Sequence, residues 1–544
     1  MSHDNGVMLQ SFTWTPDDSG RFWQDLGGRA QELRDAGFTA VWMPPATKGQ
    51  GGAEDVGYGM YDLYDLGEFD QKGSVRTRYG TRQQFEDCVA ELKRSGLLTL
   101  SDIVLNHRMG GDETERFLAV KVDEEDRLTT ESEPIELEGW TRFNFPGRGG
   151  KYSEFCWRWH HFNALDHEDH EAAGEGEGDG GDGEGGGSTD GGGEPTRSIY
   201  RIFNKDFADD VGQEMGNYDY LMGCNHHLQQ EDVRQELMRW SRWMLEATGV
   251  DGFRIDAAKH MSERFLRDMV AELPHDADDQ PRFAVAEYAV DDVAAICDFV
   301  RDTDGLIHAF DFPLHYRFAA AAREGMEYDL RDLFHDTMSS ECPDLAVTFV
   351  DNHDTEPAQG GDNFVGGIFK GSAYACILLR QGGFPCVFIG DYDGRSAPPP
   401  DHAPDSANEQ IPQMGDGDGD ASEDRNDHAG EPGDGVPDLE NHGELLRRLI
   451  ELRQRYNYGD QHDTFIDPNR IGWLRTGDQD HPESMVVIVS NGPAEPLEIE
   501  TYRPETTFTN VFDPGQTVET DGQGMGQFTG PEDGFVVWVT GSVE

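Results

Sequence analysis

Eight short apolar segments, each followed by a longer segment of helical periodicity, recur along the 544-residue chain. The apolar segments have the length of strands, and the mixed segments between them, such as residues 82–96 and 233–249, have the pattern of helices. Eight β-then-α units predict an α/β fold, a parallel (β/α)8 or TIM barrel with its helices outside. The strand segments are residues 7–14, 38–45, 97–107, 250–256, 282–288, 305–312, 346–354 and 384–391.

Two long stretches depart from this alternation. Residues 107–226 are inserted between strand 3 and helix 3, and their aromatic-rich runs, such as residues 155–162, favour a folded insertion. Residues 460–544 alternate apolar and polar positions and predict a C-terminal all-β sandwich. The predicted barrel is therefore built from residues 1–106 and 227–459, with an inserted domain B and a C-terminal domain.

Two segments of low complexity interrupt these domains. Residues 174–195 and 395–438 consist largely of glycine, proline and acidic residues, which cannot build a core, so we predict flexible surface insertions. Residues 416–422 have the alternating aspartates of a calcium loop. No glutamate follows at the twelfth position, which favours a solvated acidic loop instead.

The charge of the chain is extreme. It carries 107 acidic and 44 basic residues, a net charge of −63, and such a surface repels nucleic acid and anionic membranes. High charge is typical either of disordered chains or of folded proteins adapted to high salt, where self-repulsion is screened. Aromatic residues make up 10% of the chain and the apolar residues are clustered, so we favour a folded, halophilic protein.

Cysteines and the N-terminal residues bear on the compartment. The seven cysteines are widely spaced and several lie in apolar runs, as Cys376 and Cys386 do, which predicts buried reduced thiols rather than disulfides or a metal site. Residues 1–6 lead into the first apolar segment without the pattern of a secretion signal, and no window approaches 18 uninterrupted apolar residues. We therefore expect a soluble, cytoplasmic monomer.

Polar side chains gather where the predicted strands end, which is where a barrel of this kind places its chemistry. A single aspartate at a strand end is often only a helix cap. Such residues at four strand ends are hard to explain as caps. They are Asp102, Asn106 and His107 after the third strand, Arg254, Asp256, Lys259 and His260 after the fourth, Glu287 and Tyr288 after the fifth, and Asp351, Asn352, His353 and Asp354 after the seventh.

Three of these residues, Asp256, Glu287 and Asp354, would bring carboxylates to one barrel mouth. Crowded carboxylates repel, so one is expected to hold a proton while another stays ionised beside Arg254. A protonated acid together with an ionised carboxylate is the equipment for cleaving a glycosidic bond. The sequence therefore predicts a glycoside hydrolase.

Four motifs carry a specific resemblance. The runs DIVLNH, GFRIDAAKH, VAEY and FVDNHD resemble, in the right order, the four signature segments of the α-amylase family, glycoside hydrolase family 13. Residues 55–81 and 216–223 are similar to the bacterial liquefying α-amylases and their cytoplasmic relatives. The resemblance covers nearly the whole chain outside the two acidic insertions, and it implies endo-acting, retaining hydrolysis of α-1,4-glucosidic bonds in starch- or glycogen-type glucans.

The resemblance also implies roles for single residues. Asp256 matches the nucleophile, Glu287 the general acid/base and Asp354 the carboxylate that holds sugar hydroxyls. Arg254 would keep Asp256 ionised and oriented. The remaining substrate-binding matches are Tyr58 as an aromatic platform, Asp102 as a structural carboxylate beside it, His107 and His353 on the same sugar, and Lys259 and His260 toward the next sugar on the leaving-group side.

A structural calcium between the barrel and domain B is the cofactor that the resemblance implies. Asn106, Asp219 and the backbone carbonyl of His260 match its ligands, and Asn225 and Asp209 are further candidates. Oxygen ligands from separate segments suit calcium.

Two other functions remain open from the sequence. One is an α-glucan transferase or a malto-oligosaccharide hydrolase on the same scaffold. The other is a non-catalytic barrel used for binding or as a transporter subunit, which predicts the loss of a carboxylate or the presence of a membrane helix. The sequence shows neither feature, and the Lys259–His260 pair favours the endo-acting hydrolase.

Overall fold

The computed structural model describes residues 5–168, 197–357, 359–367, 369–394 and 439–541. Eight parallel strands, β1 to β8, close into a barrel in chain order, with β1 hydrogen-bonded to β8. All eight predicted strands and the predicted barrel are confirmed. The strands are Met8–Gln10, Ala40–Met43, Leu98–Ile103, Gly252–Ile255, Phe283–Ala286, His308–Phe310, Ala346–Phe349 and Phe384–Phe388.

Alternate residues of the barrel strands serve two cores. Met8 and Trp42 fill the barrel interior, whereas Leu9 and Val41 pack outward against the helices. Both faces are therefore buried, which explains why the strands read as continuous apolar runs.

Helices cover the barrel, and local sequence sets their ends. Thr81 caps the helix after β2 with a reciprocal capping box to Gln84, and Gly249 ends the helix before β4 in the left-handed conformation, φ 77°. The α-helices are Phe22–Gly28, Ala30–Asp35, Arg82–Arg94, Glu231–Thr248, Glu263–Ala271, Val293–Asp302, Phe312–Glu324, Met338–Glu341, Phe369–Leu379, Ile389–Asp393 and Gly443–Tyr456.

Two further sheets lie outside the barrel. One six-stranded sheet consists of His107–Arg108, Glu113–Lys121, Ile135–Arg142, Phe162–Glu168, Arg197–Ile202 and Cys224–His226. The C-terminal all-β domain has a six-stranded sheet of Gln461–Asp467, Arg470–Arg475, Met485–Asn491, Thr507–Asn510, Thr517–Glu519 and Asp533–Val539, and a pair, Pro496–Glu500 and Met525–Thr529. A short hairpin joins Lys48–Gly49 to Met60–Asp62. The predicted acidic insertions, 174–195 and 395–438, lie outside the described residues.

The cysteines differ in part from the prediction. Cys376 and Cys386 are buried free thiols, as expected, but Cys297 and Cys342 form a disulfide. The prediction of reduced thiols throughout was wrong because the two residues are 45 positions apart in sequence and the fold alone brings them together. Within the described ranges, no helix is long and apolar enough to cross a membrane.

Candidate active site

The fourth strand carries the centre of the site. Arg254 and Asp256 are two residues apart, so their side chains project from the same side of the chain. Ala257, the next residue, has φ 52°, a left-handed conformation that is uncommon for a residue with a Cβ. This turn directs the Ala257 amide N–H to Glu287 Oε2, 2.9 Å away. The strained backbone at Ala257 therefore helps to position the Glu287 carboxylate.

Arg254 links three carboxylates. Its Nη1 lies 3.0 Å from Asp102 Oδ1 and 2.7 Å from Asp256 Oδ1, and its Nη2 lies 2.9 Å from Glu287 Oε2. The guanidinium side chain is only 1% exposed. A buried guanidinium with two carboxylates on its fork fixes their separation and orientation. Asp256 and Glu287 are therefore held as a pair on one rigid group.

The electrostatics of this cluster favour a bound proton. Burial raises the pKa of Asp256, the charge of Arg254 lowers it, and the charges of Glu287 and Asp102 raise it further, for a net increase. The sequence predicted both a proton held among crowded carboxylates and an Asp256 kept ionised by Arg254. The second expectation was wrong, because burial and the charges of Glu287 and Asp102 outweigh the effect of Arg254 on the pKa of Asp256. Burial and the charge of Glu287 raise the pKa of Asp354 to about 8. One guanidinium cannot neutralise all of these carboxylates, so the mouth retains a proton near neutral pH.

A chain of hydrogen-bonded side chains, two of them aromatic rings, forms one wall of the barrel mouth. Gln10 Nε2 donates to His353 Nδ1 at 3.0 Å, and His353 Nε2 is 2.7 Å from the Tyr58 hydroxyl, which donates to Asp102 Oδ2 at 3.0 Å. Burial lowers the pKa of His353, so its ring is neutral. Acceptance at Nδ1 then leaves the proton on Nε2. Trp14 stacks on Tyr58, with interplanar angle 6° and ring centroids 5.8 Å apart.

The loop after the seventh strand holds Asp354. Asn352 Oδ1 accepts the backbone N–H groups of Asp354 and Thr355, both at 2.9 Å. Asp351 does not face the mouth: it pairs with the buried Lys370, which also contacts Asp391 Oδ1 at 2.9 Å. The loop is therefore anchored to the barrel through a buried ion triad.

Lys259 and His260 tie the end of the fourth strand to the segment 212–218. Lys259 Nζ forms an ion pair with Glu214 Oε1 at 3.1 Å. The backbone oxygen of Lys259 accepts the N–H of Gly212 at 2.7 Å. His260 Nδ1 lies 2.7 Å from the backbone oxygen of Tyr218. Both side chains are buried.

Most of the predicted calcium ligands lie together. Asn106 Nδ2 donates to the backbone oxygens of His260 at 3.0 Å and of Asp219 at 3.3 Å, and Asn106 Oδ1 is 3.3 Å from His107 Nδ1. Burial raises the pKa of the Asp219 carboxyl to about 6. Asn225 Oδ1 is a buried acceptor without a partner in the described part of the chain.

This donor set fits a calcium ion once the Asn106 amide is turned so that its oxygen takes the place of Nδ2. One buried carboxylate, two side-chain amides and backbone carbonyls then supply the hard oxygens that calcium takes. Asp209 does not join the group, since its side chain is 80% exposed and pairs with Arg264. Among the described residues, no group of three or more His, Cys, Asp and Glu side chains could hold a metal by itself.

Four residues at the site went unnoticed in the sequence. Gln10 is the last residue of β1, Trp14 follows that strand, Trp42 belongs to β2, and Glu214 lies in the segment inserted between β3 and β4. Trp42 Nε1 donates to Asp102 Oδ2 at 3.1 Å. For Gln10, Trp14 and Trp42 the available signal was a position near a strand end, but glutamine and tryptophan there are equally typical of core residues. For Glu214, which lies in a helical turn of the insertion, no such signal was present in the sequence.

A closed (β/α)8 barrel with paired carboxylates on a buried guanidinium at its mouth defines a glycoside hydrolase. Comparison with known proteins makes the family specific. The chain is 38% identical over 491 residues to the glucan 1,4-α-maltohexaosidase of Bacillus sp. (strain 707), covering 90% of this chain and 83% of the relative. It is 36% identical over 542 residues to the cytoplasmic α-amylase of Escherichia coli (strain K12), covering 98% and 99%. The chain belongs to the α-amylase family.

Solved structures agree on the fold. The α-amylase of Anoxybacillus superposes with a TM-score of 0.60 at 15% identity, covering 99% of this chain and 98% of that one. No family model matches the chain.

Proposed function

We propose that the protein is an α-amylase that hydrolyses internal α-1,4-glucosidic bonds of starch- or glycogen-type glucans. The main observation behind this proposal is the Arg254 guanidinium group, whose two terminal nitrogens hold Asp256 and Glu287 together beside Tyr58. The relatives named α-amylase and maltohexaosidase support the same substrate class.

The geometry supports a retaining mechanism. Two carboxyls held on one guanidinium are close enough for direct attack on the sugar, whereas inversion needs room for a water between them. Asp256, with Oδ1 held by Arg254, attacks the anomeric carbon in the protonation state in which the proton of the cluster lies on Glu287 and Asp256 is ionised. The proton shared by the cluster is delivered from Glu287 to the leaving oxygen. Water then hydrolyses the glycosyl ester on Asp256, with Glu287 acting as base.

Product analysis tests this function. Soluble starch should give a ladder of malto-oligosaccharides early in the reaction, and NMR should detect the α-anomer first. Maltose as substrate should react slowly. Longer chains formed from maltotriose would support the transferase alternative instead, and initial β-anomer would contradict Asp256 as nucleophile.

The remaining roles in the site are part of this proposal. Tyr58 and Trp14 offer stacked rings to a sugar, and Asp354 offers carboxylate oxygens to its hydroxyls. We assign His107 and His353 to the same sugar; each ring hydrogen-bonds to Tyr58, and contact with a hydroxyl would replace that bond. Lys259 and His260 extend the site toward the leaving-group side.

We also propose a structural calcium at Asn106, Asp219, the His260 carbonyl and Asn225. The ion supplies the positive charge that the buried Asp219 carboxylate lacks, and it joins the third and fourth strand ends to the inserted sheet. Because it binds only the folded state, exhaustive EDTA treatment at fixed high salt should lower the melting temperature, and added Ca²⁺ should restore it. An Asp219→Asn variant should lose that response. An unchanged melting temperature after EDTA would contradict the site.

The net charge of −63 leads us to propose a halophilic, monomeric enzyme without nucleic-acid or membrane partners. The relative from E. coli named cytoplasmic α-amylase supports action in the cytoplasm. Analytical ultracentrifugation in molar salt should give the mass of a single chain, and a multiple of that mass would contradict the monomer.

A further inference from the structure

A polar cavity of about 470 Å³ lies at the end of the barrel opposite the carboxylate cluster. The first residues of three barrel strands, Phe283, His308 and Phe384, line it. Arg453, on the helix before the C-terminal domain, and Arg475, on a strand of that domain, complete the wall. The cavity therefore lies where the barrel and the C-terminal domain meet.

Two of the cavity's arginines are buried without a counter-charge. Arg453 is 5% exposed and Arg475 is 4% exposed. Within the described parts of the chain, neither forms an ion pair. The hydrogen bonds of Arg453 and Arg475 go to backbone oxygens, from Arg453 Nη1 to Leu378 at 2.8 Å and from Arg475 Nη2 to Gly459 at 3.0 Å.

Several donors of these two guanidinium groups are unused. Nε of Arg453, and Nε and Nη1 of Arg475, are buried and have no partner in the described ranges. Burial and the charge of Arg475 lower the pKa of Arg453 to about 9, and burial and the charge of Arg380 lower that of Arg475 to about 10, so both groups remain charged at neutral pH. A buried charge without a partner is costly, and here two of like sign are neighbours.

The acidic residues near the cavity form no ion pair with Arg453 or Arg475 in the described ranges; the exposed Asp460 and Asp463 act on Arg475 only through longer-range charge. Arg380, the third arginine in the wall, already holds Asp463 with two bonds of 2.9 and 2.8 Å. Asp344 and Asp478 lie at the exposed rim, and Asp478 Oδ1 accepts backbone N–H groups of its own loop. In a chain with 107 acidic residues, this cavity is thus locally cationic.

We propose that this cavity binds a phosphate-type oxyanion, either free phosphate or the phosphate group of a sugar monophosphate. Guanidinium forks match tetrahedral oxyanions bidentately, and the bound anion would supply the charge that Arg453 and Arg475 lack. The cavity has room beyond the anion itself for a sugar. Because its walls come from the barrel and the C-terminal domain, the ligand stabilises their contact and does not enter the reaction.

Calorimetric titration of the full chain tests the site, with phosphate replacing chloride at constant, high ionic strength. Inorganic phosphate and glucose 1-phosphate are titrated separately, and we expect saturable binding together with a rise in melting temperature. Equal affinities identify the free ion as sufficient, and tighter binding of glucose 1-phosphate identifies the sugar ester.

Two variants and a matched control make the test specific. Arg475→Gln should weaken binding at least tenfold, and Arg453→Lys, which keeps the charge and removes the fork, should weaken it while preserving the fold. Arg448→Gln changes an arginine of the same helix that pairs with Glu451 outside this cavity, and it should bind as the wild type does. Starch hydrolysis by all three should equal that of the wild type. The proposal is wrong if neither ligand binds saturably, or if Arg475→Gln and Arg453→Lys bind unchanged.

Discussion

Asp256 is the residue on which the proposed chemistry depends most directly. Asp256→Asn keeps the shape and the hydrogen bond to Arg254 but removes the nucleophilic oxygen charge. We expect kcat on starch to fall by at least about 10⁴-fold, as for other residues that act as nucleophile. Thermal unfolding should show an intact fold. Asp279→Asn, at a side chain that is 95% exposed, removes the same charge and should keep full activity. Comparable activity in both variants would exclude Asp256 as nucleophile.

Asp354 gives a pH dependence with a defined sign. Its pKa is raised from an ordinary value near 3.8 to about 8 in the folded protein. The folded state therefore binds this proton more tightly than the unfolded state, so the contribution to stability is complete below about pH 4 and is lost as the pH rises to about 8. Asp354→Asn should flatten the fall in melting temperature across this range, compared with Asp279→Asn. Parallel curves for the two variants would contradict the raised pKa.

At the scale of elements, the loop between the seventh strand and helix Phe369–Leu379 depends on Lys370. Its ammonium is 3% exposed and is shared by Asp351 and Asp391. Lys370→Met leaves two buried carboxylates without a cation, which should lower the free energy of unfolding by about 3–5 kcal/mol. Because Asp351 anchors the loop that carries Asp354, kcat should fall as well.

Denaturant unfolding and starch kinetics measure both effects. Lys93→Met, at a partly exposed lysine paired with Asp251, serves as control and should cost little. Equal stability losses in the two variants would show that the triad does not anchor the loop.

The secondary-structure elements of the barrel were the part of the fold best predicted from the sequence. Each barrel strand is a short apolar run buried on both faces, so its position could be predicted from pattern alone. Trp14 and Gln10 could not be assigned to the site, because their contacts with Tyr58 and His353 join the ends of different strands. The Cys297–Cys342 disulfide and the unpaired charge of Arg453 escaped for the same reason: each depends on which distant segments the fold brings together.

At the scale of the whole molecule, the net charge of −63 opposes the compact state in dilute salt. Raising the salt concentration from about 0.1 M to 1 M shortens the Debye length from about 10 Å to about 3 Å, so repulsion between neighbouring surface acids falls steeply. We therefore expect the melting temperature to rise with NaCl, and activity to be lost on dilution.

A variant with residues 174–195 and 395–438 shortened tests the cause of this salt requirement. Both segments are rich in acidic residues and poor in apolar ones, so they add charge without adding core. The shortened chain should keep its activity in molar salt, because none of the carboxylates at the barrel mouth is removed. It should also lose less activity than the full chain on dilution, since less repulsion remains to be screened. Sucrose at equal osmolality, which screens no charge, controls for general stabilisation by cosolute. If the full chain is equally stable at 0.1 M and 1 M NaCl, charge repulsion does not limit its folding, and its acidity has another cause.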